Sequence, residues 1–167
     1  SVGSGVSYET LQNTIGTRTC DIMVAEPTDN TVDIPGVCGI VPGSVIPGML
    51  GIEAGQSAVG DIFKWYVDRL LPADFVCDNP YRKLDKEAAK LRPGESGLLA
   101  LDWNNGNRTI LVDQMLTGNI MGLTLYTSAP EIYRALIEGT AFGALAIIKR
   151  VEEYGTKVKK VVACGGL

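Results

Sequence analysis

Three glycine-bearing stretches lie where an α/β chain could bring backbone amides to an anion. The first is the turn of "NTIGTRTCDIMV", residues 13–24, in which Gly16 and Thr17 separate two runs of apolar alternation. The second is "EAGQSAVG", residues 53–60, which leads into a helical pattern whose first turn contains Gly60. The third is Gly165-Gly166, at the end of "VVACGG". Open α/β sheets collect ligands at the carboxyl ends of strands, where loops and helix N-termini converge. None of the three is a Walker A loop or a G-x-G-x-x-G fingerprint, and each alone is also ordinary turn punctuation. Other chemistry is thinly supplied. The chain has no histidine, which removes Cys/His zinc spacing, a Ser-His-Asp triad and a Cys-His nucleophile together. Cys20, Cys38, Cys77 and Cys164 are scattered and read as reduced thiols, mostly buried. Asp61 reads as a first-turn helix acid, and Asp102 as a strand-end residue satisfying the Asn-rich turn that follows it. Asn107-Arg108-Thr109 matches a glycosylation acceptor, but a polar loop is the simpler reading.

The elements needed to position these stretches are legible. Leu11 to Ile15 and Cys20 to Val24 read as a hairpin, with Ile22 and Val24 alternating with Asp21 and Met23 to give one face to a core. Glu26 to Pro42 reads as a loop, and "SVIPGMLGIEAG" as a bent strand broken by Pro47 and Gly48. Ala58, Val59, Ile62, Trp65, Tyr66 and Leu70 fall at helical spacing from Ser57 to Pro72, about four turns. The charged stretch Asn79 to Ser96 predicts a short exposed helix without chemistry, and Gly97 to Trp103 a strand. Ser128-Ala129-Pro130-Glu131 opens a long helix as a capping box, with Gly155 placed to stop it. Gly139 and Gly143 inside that helix predict close approach of another backbone. Lys157 to Cys164 predicts a last strand with a buried end. The order is that of an α/β layer structure whose sheet begins antiparallel.

The bulk composition agrees. With 167 residues, 46% hydrophobic and 20% charged, the chain can bury one core. A net charge of −4 without a basic cluster argues against nucleic acid, and no apolar run is long enough to span a bilayer. The cytoplasm is the expected location, no secretory signal pattern being present. Beginning at Ser1 and stopping just past a double glycine, the sequence is expected to be a piece of a longer protein.

Three long segments running in order carry a resemblance. They are "VIPGMLGIEAGQSAVGDIFKW", "GLLALDWNNGNRTIL" and "ALIEGTAFGALAIIKRVEEYG" followed by "VVACGG". Together they resemble the nucleotide-binding half of the actin-like sugar kinases of the FGGY family. A second family signature, from Gly118 through "IMGL" to Ile137-Glu138, is met except at Leu136, where a smaller or β-branched residue is usual. The resemblance implies an α/β actin-like ATPase (ribonuclease H-like) fold, a mixed sheet with helices on both faces, truncated at its C-terminus. Residues 1–167 are then part of a C-terminal nucleotide-binding domain with a charged helical insertion at about 77–96, the N-terminal sugar-binding domain being absent.

It further implies ATP and Mg2+, and a ketopentose acceptor, L-ribulose first, with xylulose or gluconate as alternatives. A non-catalytic actin-like interaction module is the rival from another class. Carried over by position, Gly16 and Thr17 would cradle the phosphates through the turn backbone and the threonine hydroxyl, Arg18 pointing to solvent. Gly60 would lie beside the nucleotide with Lys64 one turn on, and Gly165 and Gly166 would leave room for the purine. Glu53 would accept hydrogen bonds from sugar hydroxyls, or else cap the following helix. The catalytic aspartate is expected before the Gly-Thr turn and outside this chain, so that the chain alone is expected to be inactive. Surface left open at the truncation is expected to pair chains into a homo-oligomer.

Overall fold

The computed structural model describes residue 5 and residues 7–28 and 33–166. Two strands, β1 (Thr10–Ile15) and β2 (Thr19–Ala25), form the expected hairpin, Ile15 facing Thr19 across the turn. The stretch expected to be one loop and one bent strand divides differently. β3 (Gly39–Pro42) lies in the predicted loop, Gly43 to Met49 make a tight reversal, and β4 (Leu50–Ala54) returns antiparallel to β3 and to β2. Pro47 and Gly48 mark this turn and do not bend a continuous strand. Residues 29–32 of the predicted loop are outside the described set.

Helix α1 (Gly60–Leu70) is three turns long and shorter at its start than expected, while α2 (Pro80–Ala88) is capped by Asn79 accepting from the Arg82 amide at 3.0 Å. β5 (Leu99–Leu101) is brief and pairs with β6 (Asn119–Met121) in a separate two-stranded ladder that the periodicity does not reveal. Helix α3 (Ala129–Glu153) begins at the anticipated cap, where the Glu131 carboxylate accepts from both the amide and the hydroxyl of Ser128. β7 (Lys160–Gly165) runs parallel to β1 at the sheet edge, in the order β3-β4-β2-β1-β7. Its end is not buried: Lys160, Val161, Ala163 and Gly165 are exposed.

Two apolar clusters hold these layers together. Leu11, Met23 and Ile52 on one face of the sheet meet Val151 and Ile148 of α3. Both faces of the hairpin's second strand are covered: Asp21 and Met23 are buried on one, and Val24 is buried beside half-buried Ile22 on the other. The second cluster joins α1, α2 and the start of α3 through Ile62, Tyr66, Leu84 and Tyr133. The predicted exposed helix is therefore a half-buried one, since Leu84 and Ala88 are core residues. Tyr66 donates to the Ala129 carbonyl at 2.9 Å, tying α1 to the first turn of α3. Along α3, an added Cβ at Gly139 would stand 2.7 Å from the Ala100 carbonyl, the anticipated backbone approach. At Gly143 the close neighbours are side chains, Asp102 and Gln56.

Candidate functional site

The hairpin turn is seated on the start of α1. The amides of Val59 and Asp61 donate to the Thr17 carbonyl at 2.9 and 3.2 Å, and the Gly60 amide donates to the Gly16 carbonyl at 3.0 Å. Val59, the N-cap, has no side chain that could bond these amides, so the turn's carbonyls take the place of a capping hydroxyl. A Cβ on Gly60 would lie 2.5 Å from the Gly16 carbonyl oxygen. Glycine is thus required at residue 60 by the turn itself. The helix-start amides are consumed inside the protein, and the groups left for a ligand are on the turn: Thr17 is exposed, and its amide and hydroxyl have no partner among the described residues.

The third glycine stretch comes to the same place. Gly165 faces Ile15 in the β1–β7 ladder with φ at +108°, and a Cβ there would sit 2.1 Å from the Ile15 carbonyl. That carbonyl accepts from the Gly166 amide at 2.9 Å. Gly16, Thr17, Gly60, Gly165 and Gly166, drawn from both ends and the middle of the sequence, therefore meet at the carboxyl ends of two parallel strands. Lys64 does not join them: it is solvent-exposed and bonded to Asp68 at 2.5 Å. Arg18 is exposed, as expected.

On the opposite side of the turn lies an open cleft bounded by Thr17, Cys20, Glu53 and Arg108. Glu53 is exposed on β4, with the Cys20 thiol donating to it at 3.8 Å. It caps nothing on α1, so of its two readings the helix cap falls away. Burial, then the adjacent Glu53 charge, pushes the Cys20 thiol above its ordinary range. Arg108, which motif reasoning passed over as part of a polar loop, donates from Nη2 to the Thr19 carbonyl at 2.7 Å and from Nε to the Gly55 carbonyl at 3.1 Å. Thr109 exchanges hydrogen bonds with Gly55, its hydroxyl donating at 2.7 Å and accepting from the amide at 3.1 Å. The Asn-Arg-Thr triplet is a tied-down loop.

Beneath the turn is a polar interior. Asp21, 1% exposed, accepts from Asn13 at 2.6 Å, while its second oxygen has no partner among the described residues. Burial pushes its carboxyl up to about 6, against the pull of the Asn13 donor and the Arg108 charge. Asp102 differs from its sequence reading. It does not serve the Asn-rich turn; it accepts from the Gln56 side chain at 2.6 Å under Gly143, and burial raises its pKa. Gln56 also donates to the Thr140 carbonyl at 2.8 Å and its amide donates to the Thr19 hydroxyl at 2.8 Å. An isolated glutamine or arginine beside glycines was the sole sequence signal for these roles, and the hydrogen bonds span 37 to 89 residues. Among the described residues no cluster of three or more His, Cys, Asp or Glu side chains could hold a metal.

Residues 11–167 match the family model for the C-terminal domain of the FGGY family of carbohydrate kinases, and the chain belongs to that family. Its fold is accordingly the actin-like α/β domain. The chain is 48% identical over 159 residues to the ribulokinase of Halalkalibacterium halodurans and 50% identical over 160 residues to that of Anoxybacillus flavithermus. Each match covers 92% of this chain and 28% of the relative, so the chain spans a little over a quarter of their length. Among solved structures it is similar in fold to a xylulose kinase from Rhodospirillum rubrum, with TM-score 0.85, 20% identity, 99% of this chain and 32% of that one covered. It is likewise similar to a gluconate kinase from Lactobacillus acidophilus, with TM-score 0.81, 21% identity and coverage of 99% and 32%.

Proposed function

We propose that the chain forms the nucleotide-binding C-terminal domain of an ATP-dependent sugar kinase whose acceptor is a ketopentose, L-ribulose first. The observation that carries this reading is the meeting of Gly16-Thr17, Gly60 and Gly165-Gly166 at one sheet edge. Phosphoryl transfer needs the nucleotide held and its developing charge met, which free turn amides and hydroxyls accomplish without covalent chemistry. In this reading the Thr17 amide and hydroxyl donate to phosphate oxygens. Gly165 is fixed by the Ile15 carbonyl against it, Gly166, where a Cβ would meet nothing nearer than that carbonyl at 4.0 Å, leaves room for a purine, and Glu53 faces the acceptor's hydroxyls across the cleft. Lys64 has no part in it. Magnesium suits a site of this kind by riding on the nucleotide phosphates, no cluster among the described residues forming a cage of its own. The preference for ribulose over xylulose or gluconate follows the two ribulokinase relatives, at 48–50% identity against 20–21% for the solved kinases.

Titrating this chain with ADP and magnesium is expected to give a saturable signal below millimolar ligand, and no saturation at millimolar ligand would refute the nucleotide role. Incubated with ATP, magnesium and L-ribulose, the 167-residue chain alone is expected to form no sugar phosphate, the base and most of the acceptor pocket belonging to the other domain of the whole protein. In that whole protein kcat/KM is expected to be highest for L-ribulose; a preference for xylulose or gluconate would reassign the sugar and leave the nucleotide role intact.

A further inference from the structure

We propose that Arg108 is a positioning residue for the Gly16–Arg18 turn, its forked guanidinium tying together the two chain segments from which that turn hangs. One root of the turn is Thr19, the first residue of β2; the other is the Gly55–Val59 connection, which feeds the α1 amides that hold the Gly16 and Thr17 carbonyls. Arg108 is the side chain that donates to both roots, to Thr19 at 2.7 Å and to Gly55 at 3.1 Å. Its own amide is anchored on the Ser57 hydroxyl at 3.2 Å. Gly55 confirms how tightly the three are pressed, for a Cβ there would stand 2.3 Å from the Thr19 carbonyl and 2.5 Å from Nη2.

Two divergent carbonyls ask for a planar fork. A lysine ammonium, a single point on a flexible stem, cannot keep both at once. Both partners are neutral carbonyls, so the positive charge is left uncompensated by them and acts on its surroundings, opposing in part the rise that burial imposes on the Asp21 carboxyl and the Cys20 thiol. The residue therefore does two separable things: its geometry sets where Thr17 presents its donors, and its charge offsets part of the Glu53 charge across the cleft. The consequence for ligand binding rests on the nucleotide reading above; the geometric claim does not.

The test compares Arg108→Lys and Arg108→Met in this chain by three readouts: amide hydrogen exchange at Val59 and Gly60, magnesium-ADP affinity, and the titration of the Asp21 carboxyl followed by NMR. Both variants are expected to speed exchange at Val59 and Gly60 at least tenfold, with Ile62 and Tyr66 unchanged, and to weaken ADP binding about tenfold. The Asp21 titration is expected to move upward in Arg108→Met and to stay in place in Arg108→Lys, which separates charge from fork. Wild-type exchange and affinity in Arg108→Lys would overturn the proposal, as would retained Val59 and Gly60 protection in Arg108→Met. Should Arg108→Met fail to fold, Arg108→Lys, keeping stem and charge, decides the matter. Absence of ADP binding by the wild-type chain would defeat the nucleotide reading, and the exchange measurement would still decide the clamp.

Discussion

Asp21 is a carboxylate in a place that suits a neutral group. It is buried beside Asn13, with one oxygen unpartnered and Arg108 as the nearby cation. Its pKa stands near 6 in the folded chain against an ordinary value of 3.8, so between those values the folded state binds more protons than the unfolded one. Its contribution to stability is then fully present below about pH 4 and is lost as pH rises through 6, a change on the order of 3 kcal/mol. Asp21→Asn is accordingly expected to be more stable than wild type at pH 7 and equal to it near pH 4, measured by urea denaturation at both pH values; an advantage independent of pH would contradict the assignment. Gly60 makes a sharper residue-scale case. Alanine is the better helix former by up to about 1 kcal/mol, yet its methyl would be driven into the Gly16 carbonyl. Gly60→Ala is expected to lose about 1–3 kcal/mol in denaturant unfolding and to weaken ADP binding together with it.

At the scale of elements, what could be read from sequence is what local chemistry decides. The Ser128 cap, the Gly155 stop, the α1 stripe and the hairpin all depend on neighbours a few residues apart, and all are found. β3 and β6 were not visible because strands of four and three residues are too short to show alternation, and each exists only through its partner. The second buried face of β2 is not legible for a related reason: Asp21 is accommodated there by Asn13, a cross-strand neighbour, and not by hydrophobicity. The candidate site divides the same way. Its glycines were legible as turn chemistry and by family resemblance, whereas the roles of Arg108 and Gln56 depend on long-range packing. α3 supplies the element-scale prediction. Gly143→Ala should raise helix propensity and still destabilise the protein, because the methyl would meet the Asp102 carboxylate at 2.3 Å and the Gln56 amide at 2.6 Å. The melting temperature is expected to fall by roughly 2–4 °C for each kcal/mol lost; an unchanged or higher value would mean that the Gln56–Asp102 pair is free to move aside.

For the whole molecule, five strands in one mixed sheet place the Gly16–Arg18 turn at an edge built jointly by β1 and β7, seated on the start of α1. A ligand that binds this folded edge and not the unfolded chain must stabilise the entire domain. Magnesium-ADP at about ten times its dissociation constant is expected to add roughly 1.4 kcal/mol, seen as a melting temperature higher by about 3–5 °C. No shift at millimolar nucleotide would show that the folded domain does not bind it.

The pairing of Ile15 with Gly165 joins residues from the two ends of the chain, and the neighbouring Thr14–Cys164 contact spans 150 positions. Contacts so distant in sequence demand a large loss of chain freedom before they are rewarded, and they form late and slowly. The β1–β2 hairpin can arise early from local pairing, but its turn gains the flanking glycines only when β7 docks. In time as well as in space, the edge at the Gly16–Arg18 turn is complete only once β7 has docked on β1.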